Sequence, residues 1–316
     1  MSSSFRLLIA VAIVFFVATS CIQTSEDPNL MIQKEINSGW TFSQVGENDW
    51  LPAEVPGTVH TDLLANGKIE DPFYRLNELD QQWIDKVDWE YKTNFSLNRE
   101  IFKRDKIELD FKGLDTYADV YLNGEQILSA DNMFREWIVD VKESLQEDEN
   151  ELHIVFRSPI KEGLIKYDAN EFVYPGAEND QAERGEVEGG KRVSIYTRKA
   201  GYHYGWDWGP RLVTSGIWRP VYLNAWDEAK IENLQIVQNT VSEEKATFTA
   251  VFEIDAAKNG KANISITNDG TQLASTSVNL VEGLDNYSID FEINNPKLWW
   301  TIGLGEPHLY NITGEL

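Results

Sequence analysis

The sequence predicts an all-β protein made of two successive sandwiches, and three observations carry that expectation. From Ile36 onward the chain is a succession of short alternating or β-branched runs separated by turn residues. One segment, PGTVHTDLLANGK (56–68), has the start and stop signals of a helix, with Thr58 as its cap and Gly67 as its stop. After Trp226 the spacing of strands and turn clusters changes. Many short strands with few helices argue for a sandwich or jelly roll and against a parallel sheet covered by helices.

Residues 1–20 (MSSSFRLLIAVAIVFFVATS) place Arg6 ahead of an apolar stretch from Leu7 to Val17, followed by small residues. This is the order of a secretory signal, and the stretch is short for a membrane span. Ala18-Thr19-Ser20 precedes Cys21, the one cysteine of the chain, in the manner of a bacterial lipoprotein signal. Residues 1–21 are therefore expected to be a lipoprotein-type signal ending at a lipidated Cys21, and residues 22–29 a polar tether. The expected location is outside the cytoplasm, on a membrane-anchored lipoprotein of a Gram-negative bacterium, in the periplasm or at the cell surface. An exported chain with a single cysteine has no internal disulfide, so its fold must stand on its core.

Residues 30–226 form the first expected domain. Its strands are TNFSL (93–97), IELDFKG (107–113), ADVYLNGEQIL (118–128), REWIVDV (135–141), ELHIVFRS (151–158) and RPVYLNAW (219–226). Asn123-Gly124 is the strongest hairpin signal, because both residues accept the positive φ of a two-residue type I′ turn. Residues 162–195 have no clear period and read as a long irregular segment, of the kind that is functional or disordered. It leads into YHYGWDWGPR (202–211). The second domain, 227–316, has its boundary near Asp227–Lys230. There NLQIVQ, ATFTAVFEI, ANISITN, TSVNL and YSIDFEI are spaced as the shorter strands of an immunoglobulin-like sandwich.

Hydrophobic content of 42% and aromatic content of 12% fit a packed globular protein. The formal charge of −24 excludes nucleic acid and anionic membrane surfaces as partners, so membrane contact is expected only through a lipid anchor. A neutral polar ligand such as a sugar is compatible with that charge. No GxSxG elbow, P-loop or GxGxxG is present, and GGKR (189–192) lacks the spacing of a phosphate loop. His60, His153, His203 and His308 are scattered without metal-ligand spacing, so neither metal nor cofactor is expected. His60 and His153 read as structural.

Trp206-Asp207-Trp208 admits two readings. In one, the tryptophans fill a sandwich seam and Asp207 turns the chain. In the other, an indole stacks on the C–H face of a pyranose while the carboxylate accepts hydrogen bonds from neighbouring hydroxyls. Gly205 and Gly209-Pro210 would then stiffen the turn that holds them. Strand alternation would send Asp207 to the face opposite the two tryptophans, so a shared pocket requires a loop.

GWDWGPR (205–211) followed by GIWRPVYL (216–223) resembles the β-mannosidase branch of glycoside hydrolase family 2. VPGTVHTDLL (55–64), DPFYRLNE (71–78), DWEYKTNF (88–95), GLDTYADVYLNG (113–124) and NPKLWWTIGLGEPHLY (295–310) extend the likeness from about residue 30 to the end. The last departs from the family's usual WWPNGYG at Thr301-Ile302 and Leu304. The resemblance implies a galactose-binding-like jelly roll followed by an immunoglobulin-like sandwich. It also implies a (β/α)₈ barrel bearing both catalytic glutamates of a retaining mechanism, for which this chain's length leaves no room. By the same likeness Trp206 and Asp207 contact the terminal mannose. Trp208, Gly205, Gly209 and Arg198 support the loop, and Arg198-Lys199 match a basic pair of unassigned role.

The expectation is thus a non-catalytic, truncated N-terminal part of a β-mannosidase, inactive alone. Its partners would be a β-mannoside oligosaccharide and the catalytic barrel. The alternatives are a stand-alone carbohydrate-binding or surface interaction module, and the same part of a β-galactosidase or exo-β-glucosaminidase.

Overall fold

The computed structural model describes residues 31–175, 191–206 and 209–316. Up to Trp226 the chain folds into two antiparallel sheets. One has the order β1 (Ile32–Glu35), β10 (Val221–Trp226), β5 (Lys106–Phe111), β8 (Trp137–Asp140). The other has the order β3 (Leu51–Pro52), β2 (Thr41–Gln44), β4 (Trp89–Ser96), β9 (Glu149–Arg157), β6 (Tyr117–Leu122), β7 (Glu125–Asp131). Alternation drives the packing. Trp89, Tyr91 and Phe95 of β4 and Leu152, Ile154 and Phe156 of β9 meet Ile107, Leu109, Phe111, Val221 and Leu223 in one buried cluster. This is the expected jelly roll.

Local signals fall where the sequence places them. Asn123 and Gly124 adopt φ of 52° and 84° between β6 and β7, as a type I′ turn requires. Asn123 also donates to Ser144 O at 2.8 Å and Asn150 Oδ1 at 2.9 Å, which fixes the hairpin against its neighbours. Helix α1 (Val59–Ala65) is capped by Thr58, whose side chain accepts from the Thr61 amide, and Gly67 follows it at φ 64°. Asp62 pins α1 to the sheet, accepting from Tyr91 Oη at 2.7 Å and from the Glu54 amide at 2.9 Å.

The segment expected to be irregular from residue 162 begins instead inside a helix. Besides α2 (Asn77–Asp80) and α3 (Arg99–Phe102), the fold contains α4 (Pro159–Ala169). Ser158 caps α4 by accepting from the Lys161 amide at 3.1 Å, and Pro159 stands in its first turn. That start signal was present in the sequence, but α4 buries only Pro159, Ile160 and Gly163, so no apolar period announced it. Among the described residues no helix is long and apolar enough to cross a membrane.

From Ala229 on, three strands form one sheet, β11 (Ala229–Val241), β12 (Lys245–Ala256) and β15 (Gly283–Asn294). The second is β14 (Thr271–Leu280), β13 (Gly260–Asn268) and β16 (Ile312–Glu315). Phe252, Ile254, Ile264, Ile266, Ile289 and Phe291 fill the space between them. This is the expected immunoglobulin-like sandwich, but its strands are long, reaching 13 residues in β11, where shorter ones were expected. Irregular register at Ile231/Asn233 and Gln238/Thr240 lets β11 keep pairing where its alternation lapses. Two residues separate β10 from β11. Asp227 between them accepts from Arg104 Nη1 at 2.8 Å and from the Asp105 amide at 2.7 Å.

The approach to the site depends on backbone meeting backbone. The Gly57 amide donates to Ile217 O and the Val59 amide to Ser215 O, both at 2.8 Å. Gly216 sits between them at φ 148°, and a Cβ there would lie 2.8 Å from both Gly57 O and Thr58 Cα. Gly216→Ala is expected to lower stability by about 2–3 kcal/mol through strain and overpacking. Urea denaturation checks this, and an unchanged midpoint would refute it.

Candidate functional site

The described residues of YHYGWDWGPR lie outside the strands of both sheets. A 3₁₀ turn spans Gly201–Tyr204, Gly205 takes φ 113°, and the Gly209 amide donates to Trp206 O at 3.4 Å. Trp206 and Gly209 stand on the wall of an open cavity of about 780 Å³, with Phe73, Tyr202, His203, Pro210, Leu212 and Thr214 among its other lining residues. Size and aromatic content are those of a small-ligand cleft. Trp206 is 37% exposed, and the rim residues Phe73 and Tyr202 are more so. Beneath the loop, Tyr204 is buried with Ile160, Val193 and Val213, so α4 forms part of its floor. Gly163 permits this, since a Cβ there would lie 2.7 Å from Val193 Cβ.

Two buried ion pairs hold the loop at its ends. At the entrance Lys199 Nζ lies 2.5 Å from both Asp115 oxygens and donates to Thr214 O at 2.8 Å, with both side chains essentially sealed from solvent. Asp115 also accepts from Thr116 Oγ1, and from Thr214 Oγ1 at 2.7 Å. At the exit Arg211 Nη1 reaches Asp85 Oδ2 at 2.5 Å and Gln82 Oε1 at 2.7 Å. Gln82 returns a bond from Nε2 to Arg211 O at 2.9 Å, tying the loop to the segment after α2.

These charges act on two histidines. Burial, then the nearby Lys199 ammonium, lowers the His60 pKa to about 4, and the same two causes bring His203 to about 4. Both rings are therefore neutral near pH 7. Their unfolded-state pKa is higher, so between about pH 6.5 and 4 the unfolded chain binds more protons. Stability contributed by keeping them neutral is present above that window and is lost as pH falls through it. His60→Leu is therefore expected to lose less stability than the parent between pH 7 and 4.5, by a few kcal/mol. Denaturant titrations at the two pH values test this, and identical pH slopes would overturn it.

Of the residues singled out from sequence, Trp206, Gly205 and Gly209 come together at the loop. Asp207, Trp208 and Cys21 lie outside the described residues. Arg198 is at the surface, 3.2 Å from Asp131, with its side chain 65% exposed, and its neighbour Lys199 is the buried member of the basic pair. His60 is buried and its Nδ1 has no partner among the described residues, whereas His153 bonds Glu90 at 2.8 Å. Sequence reasoning gave no role to Arg211 at the end of the motif or to Thr214 just after it, and missed Asp115 and Asp85, which are joined to the loop only by the fold. Glu108, Glu232 and Asp255 cluster closely enough to suggest a cation site. The Lys230 ammonium already stands 2.6 Å from Glu108 and Glu232 and supplies the positive charge.

Comparison with known proteins agrees with this architecture. The profile of the glycosyl hydrolase 2 galactose-binding domain-like family matches residues 40–219, and that of glycosyl hydrolases family 2 matches residues 229–316. The chain is 35% identical over 294 residues to beta-mannosidase B of Emericella nidulans, and 32% over 292 to that of Aspergillus terreus. Each alignment covers 90% of this chain and 33% of the relative. A crystal structure of beta-D-mannosidase from Dictyoglomus thermophilum superposes with a TM-score of 0.79 at 34% identity, over 90% of this chain and 34% of that one. The exo-chitosanase of Amycolatopsis orientalis shares the fold at a TM-score of 0.61 and 20% identity, over 90% of this chain and 32% of that one. The chain thus spans about a third of the length of the relatives it matches.

Proposed function

Because the chain belongs to glycosyl hydrolase family 2, we propose that it is the non-catalytic, sugar-contacting part of a β-mannosidase that removes terminal β-linked mannose with retention. The observation that carries the proposal is the open aromatic cavity with Trp206 and Gly209 on its wall. There Trp206 supplies a stacking face for a pyranose, and Asp207, one residue on, supplies the carboxylate that reads its hydroxyls. The pair of catalytic carboxylates belongs to a separate barrel, in this reading the chain's partner around a β-mannoside oligosaccharide. The mannosidase assignment is favoured over a galactosidase or glucosaminidase because the relatives at 32–35% identity are named mannosidases. The galactosidase and chitosanase neighbours, at 19–20%, speak for the fold alone.

Export and lipid attachment at Cys21 complete the proposal and rest on the order of residues 1–21.

Purified residues 22–316 are expected to release no p-nitrophenol from p-nitrophenyl β-mannoside, since positioning without an acid/base and nucleophile does not hydrolyse. Measurable release would overturn the non-catalytic assignment. Calorimetry separates the stand-alone module, which would bind mannose with measurable heat that Asp207→Ala abolishes. The half-site proposed here binds mannose only at high sugar concentration and gives almost no heat.

A further inference from the structure

The ion pair under the loop fixes a hydrogen position on the cavity wall. Asp115 accepts from the Lys199 ammonium through both oxygens and so has no proton to give. Thr214 Oγ1 lies 2.7 Å from Asp115 Oδ2, which commits the threonine hydroxyl hydrogen to the carboxylate. The same Oγ1 is 2.9 Å from His203 Nδ1 and, with its hydrogen spent, can only accept there. The ring proton of His203 is therefore on Nδ1. Nε2 is left with its lone pair, and no hydrogen bond from another described residue reaches it. His203 and Thr214 both line the cavity that holds Trp206.

Resting on the sugar-site reading above, we propose that His203 is a specificity-determining residue, locked by the Lys199–Asp115–Thr214 relay into one tautomer so that Nε2 accepts a hydrogen bond from a substrate hydroxyl. Such a group selects for a free hydroxyl. A position blocked as an ether or ester, or removed as a deoxy sugar, has no hydrogen to offer it. The lowered pKa near 4 keeps the acceptor available through the neutral range. An ordinary solvent-exposed histidine would instead divide between tautomers and begin to charge near pH 6.5.

The test is nitrogen NMR of the ¹⁵N-labelled chain, with ring signals assigned from His203→Gln and the indole signal from Trp206→Phe. Long-range ¹H–¹⁵N correlations at pH 7 are expected to show a protonated Nδ1 and an unprotonated Nε2. In Thr214→Val the ring is expected to populate both tautomers. A proton on Nε2 in the parent, or an unchanged tautomer in Thr214→Val, overturns the relay. On titration with methyl β-D-mannopyranoside to high concentration, His203 Nε2 and the Trp206 indole are expected to shift together. If Trp206 shifts and Nε2 does not, the acceptor role falls and the sugar site stands. If neither shifts, the sugar-site reading falls and this inference falls with it.

Discussion

Lys199→Met should destabilise the protein by about 3–5 kcal/mol, the range for removing one partner of a buried ion pair. The lysine side chain is fully buried and Asp115 is 1% exposed, so the carboxylate left behind has no route to water. Its two remaining side-chain donors, Thr116 and Thr214, are neutral and do not compensate a buried charge. The loss should be largely recovered in Lys199→Met combined with Asp115→Leu, which removes both charges. Urea denaturation of the single and double variants measures both effects. A single variant within 1 kcal/mol of the parent would mean that the pair contributes little, and the relay to His203 would lose its foundation.

Arg211→Met should have a comparable effect, about 3–5 kcal/mol, with a pH signature of its own. Asp85 already has its pKa raised by burial, against the opposing pull of Arg211. Without that guanidinium the folded state favours the protonated acid still more. A carboxyl whose folded pKa lies above its unfolded value stabilises the fold at low pH, and that contribution is lost as pH rises through the folded pKa. The deficit of Arg211→Met relative to the parent should therefore be larger at pH 8 than at pH 5. Equal deficits at the two values would show that Asp85 is not the group left stranded. The variant also removes the side-chain bond from Arg211 to Gln82, while the backbone bonds from its amide to Glu78 Oε2 and from Gln82 Nε2 to its carbonyl stay in place at the loop exit.

The parts of this architecture that were legible are those whose cause is local. Asn123-Gly124 accepts positive φ whatever surrounds it, and Thr58 caps α1 through an amide three residues away. The alternation of β4 and β9 likewise states which side faces the core. What escaped has a non-local cause. Lys199 and Asp115 are 84 positions apart, and Arg211 and Asp85 are 126 apart. In a chain of charge −24, single lysines, arginines and aspartates read as surface, and only the fold shows which have been taken out of water. Helix α4 escaped for another reason. Its cap and proline were visible, but a helix that buries so little carries no apolar stripe to reinforce them.

Anchoring the loop at both ends divides the ensemble of folded molecules into those with the loop seated and those without. A ligand that recognises only the seated form has its apparent dissociation constant multiplied by the reciprocal of the seated fraction. If loosening Lys199 or Arg211 left about one molecule in ten seated, affinity would fall about tenfold with every sugar contact chemically intact. Substitutions at Asp85, Gln82 or Thr116, none of which lines the cavity, would then pass for binding-site mutations in any assay that reads affinity alone.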